Sequence, residues 1–312
     1  MIRYSLDLDI NKSKKQLNYN DSIQFLGSCF SDHIAKQLKL AGFNVNDSVN
    51  GVVFNPISLA EPLLRLIQSQ PYTEDSLCFN NGLYYSDFHH GVFASPDQSV
   101  LLNQINTNQA EFATQLAQCK FLFITFGSAY VYKRVENNRL VANCHKQASN
   151  SFNKALLSVS EIVDCYEPIL HYLEEKFPQL SVVFTVSPVK HLRDGVVENQ
   201  WSKATLLLAI HQLLNNSNVT YFPSYELLND DLRDYRFYES DGAHPNQLAI
   251  DYIFDKFKEV FFDDKTVQYF EGAIKLSKLK NHIPIHKHGE EYQKWILKTE
   301  EMESVFKTKY QL

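Results

Sequence analysis

No run of the sequence approaches the roughly 18 consecutive apolar residues of a membrane helix, so no membrane partner is expected. Basic residues do not cluster either. Thirty Lys and Arg are scattered among 36 Asp and Glu, for a net charge of −6. That pattern argues against nucleic acid or an anionic surface as partner. Cysteine is sparse and unpatterned. Cys29, Cys78, Cys119, Cys144 and Cys165 are odd in number and form no CxxC pair, which speaks against a structural zinc site. His282, His286 and His288 lack a helical His-x-x-x-His or a cysteine pair. They read as a solvated tail rather than metal ligands, and no metal or cofactor is implied. The start, Met1-Ile2-Arg3-Tyr4-Ser5-Leu6-Asp7, lacks an uninterrupted apolar segment and does not read as a signal peptide. With reduced thiols, the expectation is a cytoplasmic protein. There is no internal repeat and no low-complexity linker.

What is present suits a packed globular core. The 312 residues are 44% apolar, enough for one large α/β domain or two small ones. Strand candidates are Ile23 to Leu26, Phe121 to Phe126, Val182 to Val186 and Val219 to Phe222. The last three are continuous apolar or β-branched runs, as buried parallel strands should be. Between them lie amphipathic helices. Phe30, Ile34, Leu38 and Ala41 form one stripe, ended by Gly42. Ser160 to Phe177 forms another, in which Pro168 predicts a kink or a break. Trp201 to Leu214 is strongly apolar, and Ala249 to Phe262 is amphipathic. The alternation predicts a parallel sheet covered on both faces.

Residues 72–100 read as irregular, with a turn at Asn80-Asn81-Gly82. Tyr84, Tyr85, Phe88, His89, His90 and Phe93 make this region aromatic. It reads either as an insertion over a cleft near the site or as a small hairpin on the core. From about Phe270 the pattern is charged, and Glu290 to Tyr310 reads as helix. The expected division is a domain over residues 1–270 and a helical tail over 271–312.

Two motifs carry chemistry. Gly27-Ser28-Cys29-Phe30 turns the first strand into the first helix, at the sheet edge where open α/β folds keep their active sites. Either Ser28 or Cys29 is a candidate nucleophile; a thiol there also gains from the helix N-terminus. The plainer reading is a cap from Ser28 and a buried Cys29. The second motif is Asp241-Gly242-Ala243-His244-Pro245. Pro245 predicts a helix starting at Asn246, with His244 in an N-cap-like position. The positive helix end would keep that imidazole neutral and able to act as a base. Asp241 can fix its tautomer. The plainer reading is an Asx turn and a packed histidine.

Gly27-Ser28-Cys29-Phe30-Ser31 also resembles the motif that names the GSCFA-domain family, a bacterial group placed among the SGNH (GDSL-like) hydrolases. Similar stretches are Thr125 to Tyr132, Ala142 to Lys146, Val186 to His191, and Leu232 to Tyr238 leading into Asp241 and His244. The resemblance runs from about residue 23 to residue 262. It implies a flavodoxin-like three-layer α/β/α sandwich with a mainly parallel sheet. Laying Gly-Asp-Ser-Leu over the turn puts Cys29 at the nucleophile position and Ser28 at the aspartate position. Asp241 and His244 match the late Asp-x-x-His.

The oxyanion blocks depart from the pattern. Gly51 is the nearest match to the second-block glycine. Gly127-Ser128-Ala129-Tyr130 lacks the asparagine of Gly-x-Asn-Asp, leaving Ser128, Asn55 or Asn143 as candidate donors. Losing such a donor typically costs about a hundredfold or more in rate. His145 is a further candidate for binding an anion or acting as a second base; a polar loop closing the site is the plainer role. Ser187 reads as substrate-facing. Arg233 and Arg236 read either that way or as partners of Asp230, Asp231 or Asp234. The resemblance implies an acyl-ester hydrolase or acyltransferase acting on a small-molecule or carbohydrate acyl substrate. The alternative is a ligand-binding domain that kept the fold without catalysis. Oligomeric state is not legible.

Overall fold

The computed structural model describes residues 6, 8–282, 286 and 289–311; His288 lies outside them. The chain begins with β1 (Ser22–Gly27), α1 (Cys29–Leu40), β2 (Asn44–Asn46) and α2 (Pro56–Gln68). A small sheet follows, β3 (Leu77–Asn80), β4 (Leu83–Ser86) and β5 (Ala94–Ser95), then α3 (Gln98–Leu116) and β6 (Cys119–Phe126). Another small sheet, β7 (Tyr130–Arg134), β8 (Leu140–Val141) and β9 (Phe152–Leu156), precedes α4 (Val159–Lys176) and β10 (Ser181–Val186). Then come α5 (Val196–Leu213), β11 (Val219–Tyr221), α6 (Ser224–Glu226), α7 (Gln247–Phe261), α8 (Asp264–Asn281) and α9 (Glu290–Tyr310).

The four expected apolar strands form the core of a parallel sheet ordered β11-β10-β6-β1-β2. Side chains alternate across it, as the strand period requires. Leu122, Ile124, Phe126, Val182, Phe184 and Val186 pack on one face beneath α2, α4 and α5. Phe121, Phe123 and Val183, with Ile23 and Phe25, pack on the other beneath α1 and α7. The result is a three-layer α/β/α sandwich with helices on both faces. Edge strand β2 had no sequence signal, because Asn44-Val45-Asn46 is short and polar.

Three local expectations change. The helix α4 runs unbroken through Pro168, its start fixed by a reciprocal Ser158–Glu161 capping box. The helix α7 starts at Gln247 with Asn246 as its cap, and Asn246 Oδ1 accepts from Ala249 N–H at 3.2 Å. Pro245 instead pairs with Tyr238 in an antiparallel bridge, so His244 is not a cap residue. Residues 72–100 are irregular only in part, and of the two expectations for them the small hairpin on the core is the one found. Phe79 pairs with Tyr84 and Cys78 with Tyr85 across an antiparallel hairpin. Its turn uses left-handed Asn81 and Gly82 (φ 50° and 81°).

That hairpin sheet carries its own small core, in which Tyr72 and Phe93 pack on Leu101 and Ile105 of α3. Asp87 anchors it to β7. Arg134 Nε donates to both oxygens of Asp87, at 3.1 and 3.0 Å, and both side chains are buried. At the other end of the chain, α8 crosses residue 270. It meets α9 through Tyr269, whose ring stacks on Tyr19 at 4.2 Å and meets buried Tyr310 edge-on at 5.0 Å. Among the described residues no helix is long and apolar enough to cross a membrane.

Candidate active site at the carboxyl edge of the sheet

The turn after β1 depends on a missing side chain. Gly27 lies beside Thr125 in the β1–β6 register. A Cβ on Gly27 would stand 2.6 Å from Thr125 Cβ and 3.0 Å from its carbonyl oxygen. Only glycine lets the two strand ends sit this close. Ser28 then takes the cap position of α1, but its hydroxyl makes no cap bond. It is buried without a partner among the described residues. Instead, Ser31 Oγ donates to Ser28 O at 2.6 Å.

Cys29, the first residue of α1, is only half-buried. Burial raises its thiol pKa and Asp32 adds to that rise. The backbone N–H groups of Cys29 and Phe30, and the more distant Lys203, act in the opposite direction. The helix start thus supplies donors toward sulfur, while the desolvated pocket holds back ionisation.

Asp241 and His244 form a close pair. Asp241 Oδ2 accepts from His244 Nδ1–H at 2.6 Å. Its other oxygen accepts the N–H groups of Ala243 and His244, at 2.8 and 3.0 Å. The Asx turn and the orienting carboxylate are therefore one residue. These bonds, the backbone ones foremost, hold the Asp241 carboxyl far below the usual carboxylate range. With Nδ1 engaged, the half-exposed ring leaves Nε2 as the available base. The loop is fixed on both sides: Lys190 N–H donates to Ala243 O at 3.0 Å, and Glu239 N–H to His244 O at 2.7 Å. Beside it opens a cleft lined by Lys190, Asn199, Gln200, Arg233, Tyr235 and Tyr238.

Two further histidines gather near His244. His33 lies one turn after Cys29 on α1, and His191 follows β10. Burial lowers both pKa values, that of His191 to about 4, and Lys36 beside His33 and Lys203 beside His191 lower them further. The Lys190–Ala243 bond ties the His244 loop to the segment that leaves the carboxyl end of β10, the same sheet edge at which α1 starts after β1. No hydrogen bond joins His244 to Cys29 Sγ or Ser28 Oγ among the described residues.

The remaining candidates are mostly committed to structure. Gly51 N–H donates to Ser48 O at 3.0 Å, inside its own turn. Asn55 caps α2, accepting from Ser58 N–H at 2.8 Å and donating to Ser58 Oγ at 3.0 Å. The N–H groups of Gly127 and Ser128 both donate to Phe54 O, at 2.8 and 3.1 Å. Ser128 Oγ contacts Ser202 and accepts from Tyr130 N–H at 3.1 Å. Asn143 Oδ1 accepts from His145 N–H at 2.8 Å. His145 is buried, stacks on Tyr85 and bonds Ser86 O through Nε2 at 2.8 Å. Ser187, expected to face substrate, is fully buried, and its hydroxyl accepts from Val189 N–H at 3.3 Å. Arg236 pairs with Asp234 at 3.3 Å, while Arg233 lines the cleft.

Sequence reading passed over Lys203, the one lysine set in the buried face of apolar α5. It is 1% exposed. Its Nζ donates to Gly127 O at 2.8 Å and Ser187 O at 2.7 Å. A lone lysine among apolar helix positions was the available signal. Among the described residues, no cluster of three or more His, Cys, Asp or Glu is arranged to hold a metal.

The fold is thus a parallel α/β/α sandwich with a Gly-Ser-Cys turn after its first strand and an Asp-x-x-His pair before a late helix. The chain belongs to the GSCFA family, whose model matches residues 22–257. Its fifth motif position here is Ser31 rather than alanine. Among solved structures, it is similar to a carbohydrate esterase family 3 protein from Talaromyces cellulolyticus. The two share 12% identity, with 80% of this chain and 98% of that one covered and a TM-score of 0.34. It is also similar to an acetyl xylan esterase from the rumen bacterium Butyrivibrio proteoclasticus, at 10% identity. There, 78% of this chain and 65% of that one are covered, with a TM-score of 0.39. Comparison with curated proteins finds no match.

Proposed function

We propose that the protein cleaves acyl esters, with Cys29 as nucleophile, His244 as base and Asp241 as its orienter. The observation that carries this reading is the 2.6 Å Asp241–His244 bond, which leaves Nε2 free at the same edge as the N-terminus of α1. Cys29 is preferred to Ser28 because its side chain is accessible and faced by amide donors, whereas the Ser28 hydroxyl is buried.

The chemistry then balances simply. His244 Nε2 takes the thiol proton as sulfur bonds to the ester carbonyl carbon. The oxyanion is met by the N–H groups of Cys29 and Phe30. Collapse breaks the carbon–alkoxide bond, and His244 returns its proton to the leaving alcohol. Water, deprotonated by His244, then releases the acid from the thioester. A sugar hydroxyl in place of water gives acyl transfer; an acylated carbohydrate is one substrate that suits the polar cleft beside the dyad. Activity is tested with aryl acetates and acetylated oligosaccharides against Cys29→Ala, Ser28→Ala and His244→Ala. Full turnover in Cys29→Ala with none in Ser28→Ala would transfer the role to the serine.

One observation favours a second reading, a binding domain without catalysis. The N–H groups of Gly51, Gly127 and Ser128 are engaged elsewhere, and the Asn55 amide donates to Ser58 Oγ. Iodoacetamide separates the two: labelling of Cys29 that weakens in His244→Ala supports the enzyme, and labelling indifferent to His244 supports the binding domain.

A further inference from the structure

A pocket of about 420 Å³ lies between the β7–β9 sheet, residues 142–149 and the loop after β10. That volume is in the range that small ligands fill. Phe54, Val141 and Phe152 give it apolar walls. Tyr132, Asn143, Lys146, Gln147 and Arg193 give it polar ones, and no carboxylate among the described residues lines it. Its side-chain amide acceptors are already used. Asn143 Oδ1 accepts the His145 N–H at 2.8 Å, and Gln147 Oε1 accepts from Arg134 Nη1 at 2.9 Å. Its strongest donors are not. Among the described residues, neither the Lys146 ammonium nor the Arg193 guanidinium has an ion pair or an acceptor, and Asn143 Nδ2 has no acceptor either. The free hydrogen-bonding capacity of the lining is thus mainly that of donors, two of them cationic.

We propose that this pocket binds a small organic acid, whose carboxylate or phosphate group is met by Lys146 and Arg193 and whose apolar body packs on Phe54, Val141 and Phe152. The acids nearest by are spent on other cations: Asp194 pairs with Lys154, and buried Asp87 with Arg134. Burial raises the pKa of the Cys144 thiol in the same pocket, and Arg193, then Arg134, pull it back down. The charges acting on that thiol are therefore positive. The cleft beside His244 differs, because there Lys190 and Arg233 stand with Asp230 and Asp234. Apolar walls also keep part of the water away from a bound charge, which strengthens each contact with it.

The segment that carries Asn143 and Lys146 is held at two points. Ala142 N–H donates to Asp87 O at 2.7 Å, and Asn80 Nδ2 donates to His145 O at 3.0 Å. The anion-binding role considered for His145 falls to its neighbours, since the His145 ring is committed to Tyr85 and Ser86 O. Phe54 links the pocket to the turn after β1: one residue earlier, Val53 N–H donates to Gly27 O at 3.1 Å. The site does not depend on Cys29 being a nucleophile.

Cys144 serves as the reporter in the test, because it lines the pocket and is half-buried. Its alkylation by iodoacetamide in the full chain is followed by peptide mass spectrometry, with 1-naphthoate, 1-naphthyl phosphate or neutral 1-naphthylmethanol present. An anion should slow alkylation of Cys144 saturably, leaving Cys165 unaffected, and the alcohol should not. Protection by the naphthoate alone supports a carboxylate site, and by the phosphate alone a phosphoryl site. Arg193→Gln and Lys146→Asn should each raise the half-protecting concentration about fivefold, and together more than about tenfold. Both side chains are exposed, and asparagine tolerates the left-handed backbone of Lys146 (φ 57°), so the variants should fold. Should Cys144 resist alkylation, isothermal titration calorimetry with the same three compounds reads the same affinities. Equal binding of the alcohol, anion binding unchanged in the double variant, or binding of neither anion overturns the proposal.

Discussion

Substituting Gly27 with alanine probes the fold and the site together. The added Cβ meets Thr125 Cβ at 2.6 Å, and Ser31 Oγ and Thr125 O at 3.0 Å. Thr125 Cβ is fixed to a central strand and cannot swing aside. Overpacking of this kind costs roughly 1–3 kcal/mol. A φ of +156° is poorly suited to alanine and adds about 1–3 kcal/mol. The stiffer unfolded chain offsets about 0.4–1 kcal/mol. The net is roughly 3 kcal/mol of destabilisation, or about 6 °C in melting temperature for a chain of this size. Thermal and denaturant unfolding measure it. Combining Gly27→Ala with Thr125→Gly removes the worst contact but leaves the carbonyl clash and the φ strain. The double mutant should therefore recover about 1 kcal/mol or more relative to additivity. A Gly27→Ala protein as stable as wild type, or a strictly additive cycle, refutes the argument that the turn is shaped by this close approach.

Asp87→Ala strands the buried Arg134 guanidinium and should cost about 3–5 kcal/mol, read as a shift in denaturant midpoint; a loss below about 1 kcal/mol contradicts it. His89 is fully buried, with Nδ1 at 2.7 Å from Ser86 Oγ, and burial takes its pKa to about 3. The unfolded chain binds that proton more readily, so His89 makes stability fall as pH drops from about 6.5 toward 3, by up to about 1.4 kcal/mol per pH unit. A neutral isostere such as His89→Gln should flatten that slope, and an unchanged slope counts against it. His244→Ala should lower ester turnover by roughly 10²- to 10⁴-fold while leaving the melting temperature near wild type, since the ring is half-exposed. Asp241→Asn should act in the same direction through the wrong imidazole tautomer; unchanged kcat in either variant removes the dyad from the mechanism.

The elements that the sequence made legible are those whose signal is local. Phe121 to Phe126 and Val182 to Val186 announce buried strands by unbroken apolarity, and the Phe30-Ile34-Leu38 stripe announces α1. Asn81-Gly82 marks its hairpin because left-handed backbone needs such residues. Asp241 and His244 are legible as a pair because three residues of turn suffice to join them. Proline was the less reliable guide. Pro168 sits inside a continuous α4, and Pro245 belongs to a bridge with Tyr238 rather than to the first turn of α7. What sequence alone could not reveal is decided by distant partners. Phe54 O, far from residue 127 in the chain, takes the N–H groups of Gly127 and Ser128. Ser187 looked like a strand-end hydroxyl facing substrate, but the chain folds it inward under Val189. Lys203 reads as one polar position in an apolar helix until Gly127 O and Ser187 O are brought around it.

The central claim is that Cys29 becomes acylated with help from His244. Rapid quenching during turnover of an aryl acetate, followed by intact and peptide mass spectrometry, tests it directly. The account predicts an acetyl adduct on the peptide bearing Cys29, released by hydroxylamine, absent in Cys29→Ala and formed far more slowly in His244→Ala. Turnover with the adduct on Ser28, or an adduct on Cys29 forming at the same rate without His244, would contradict it.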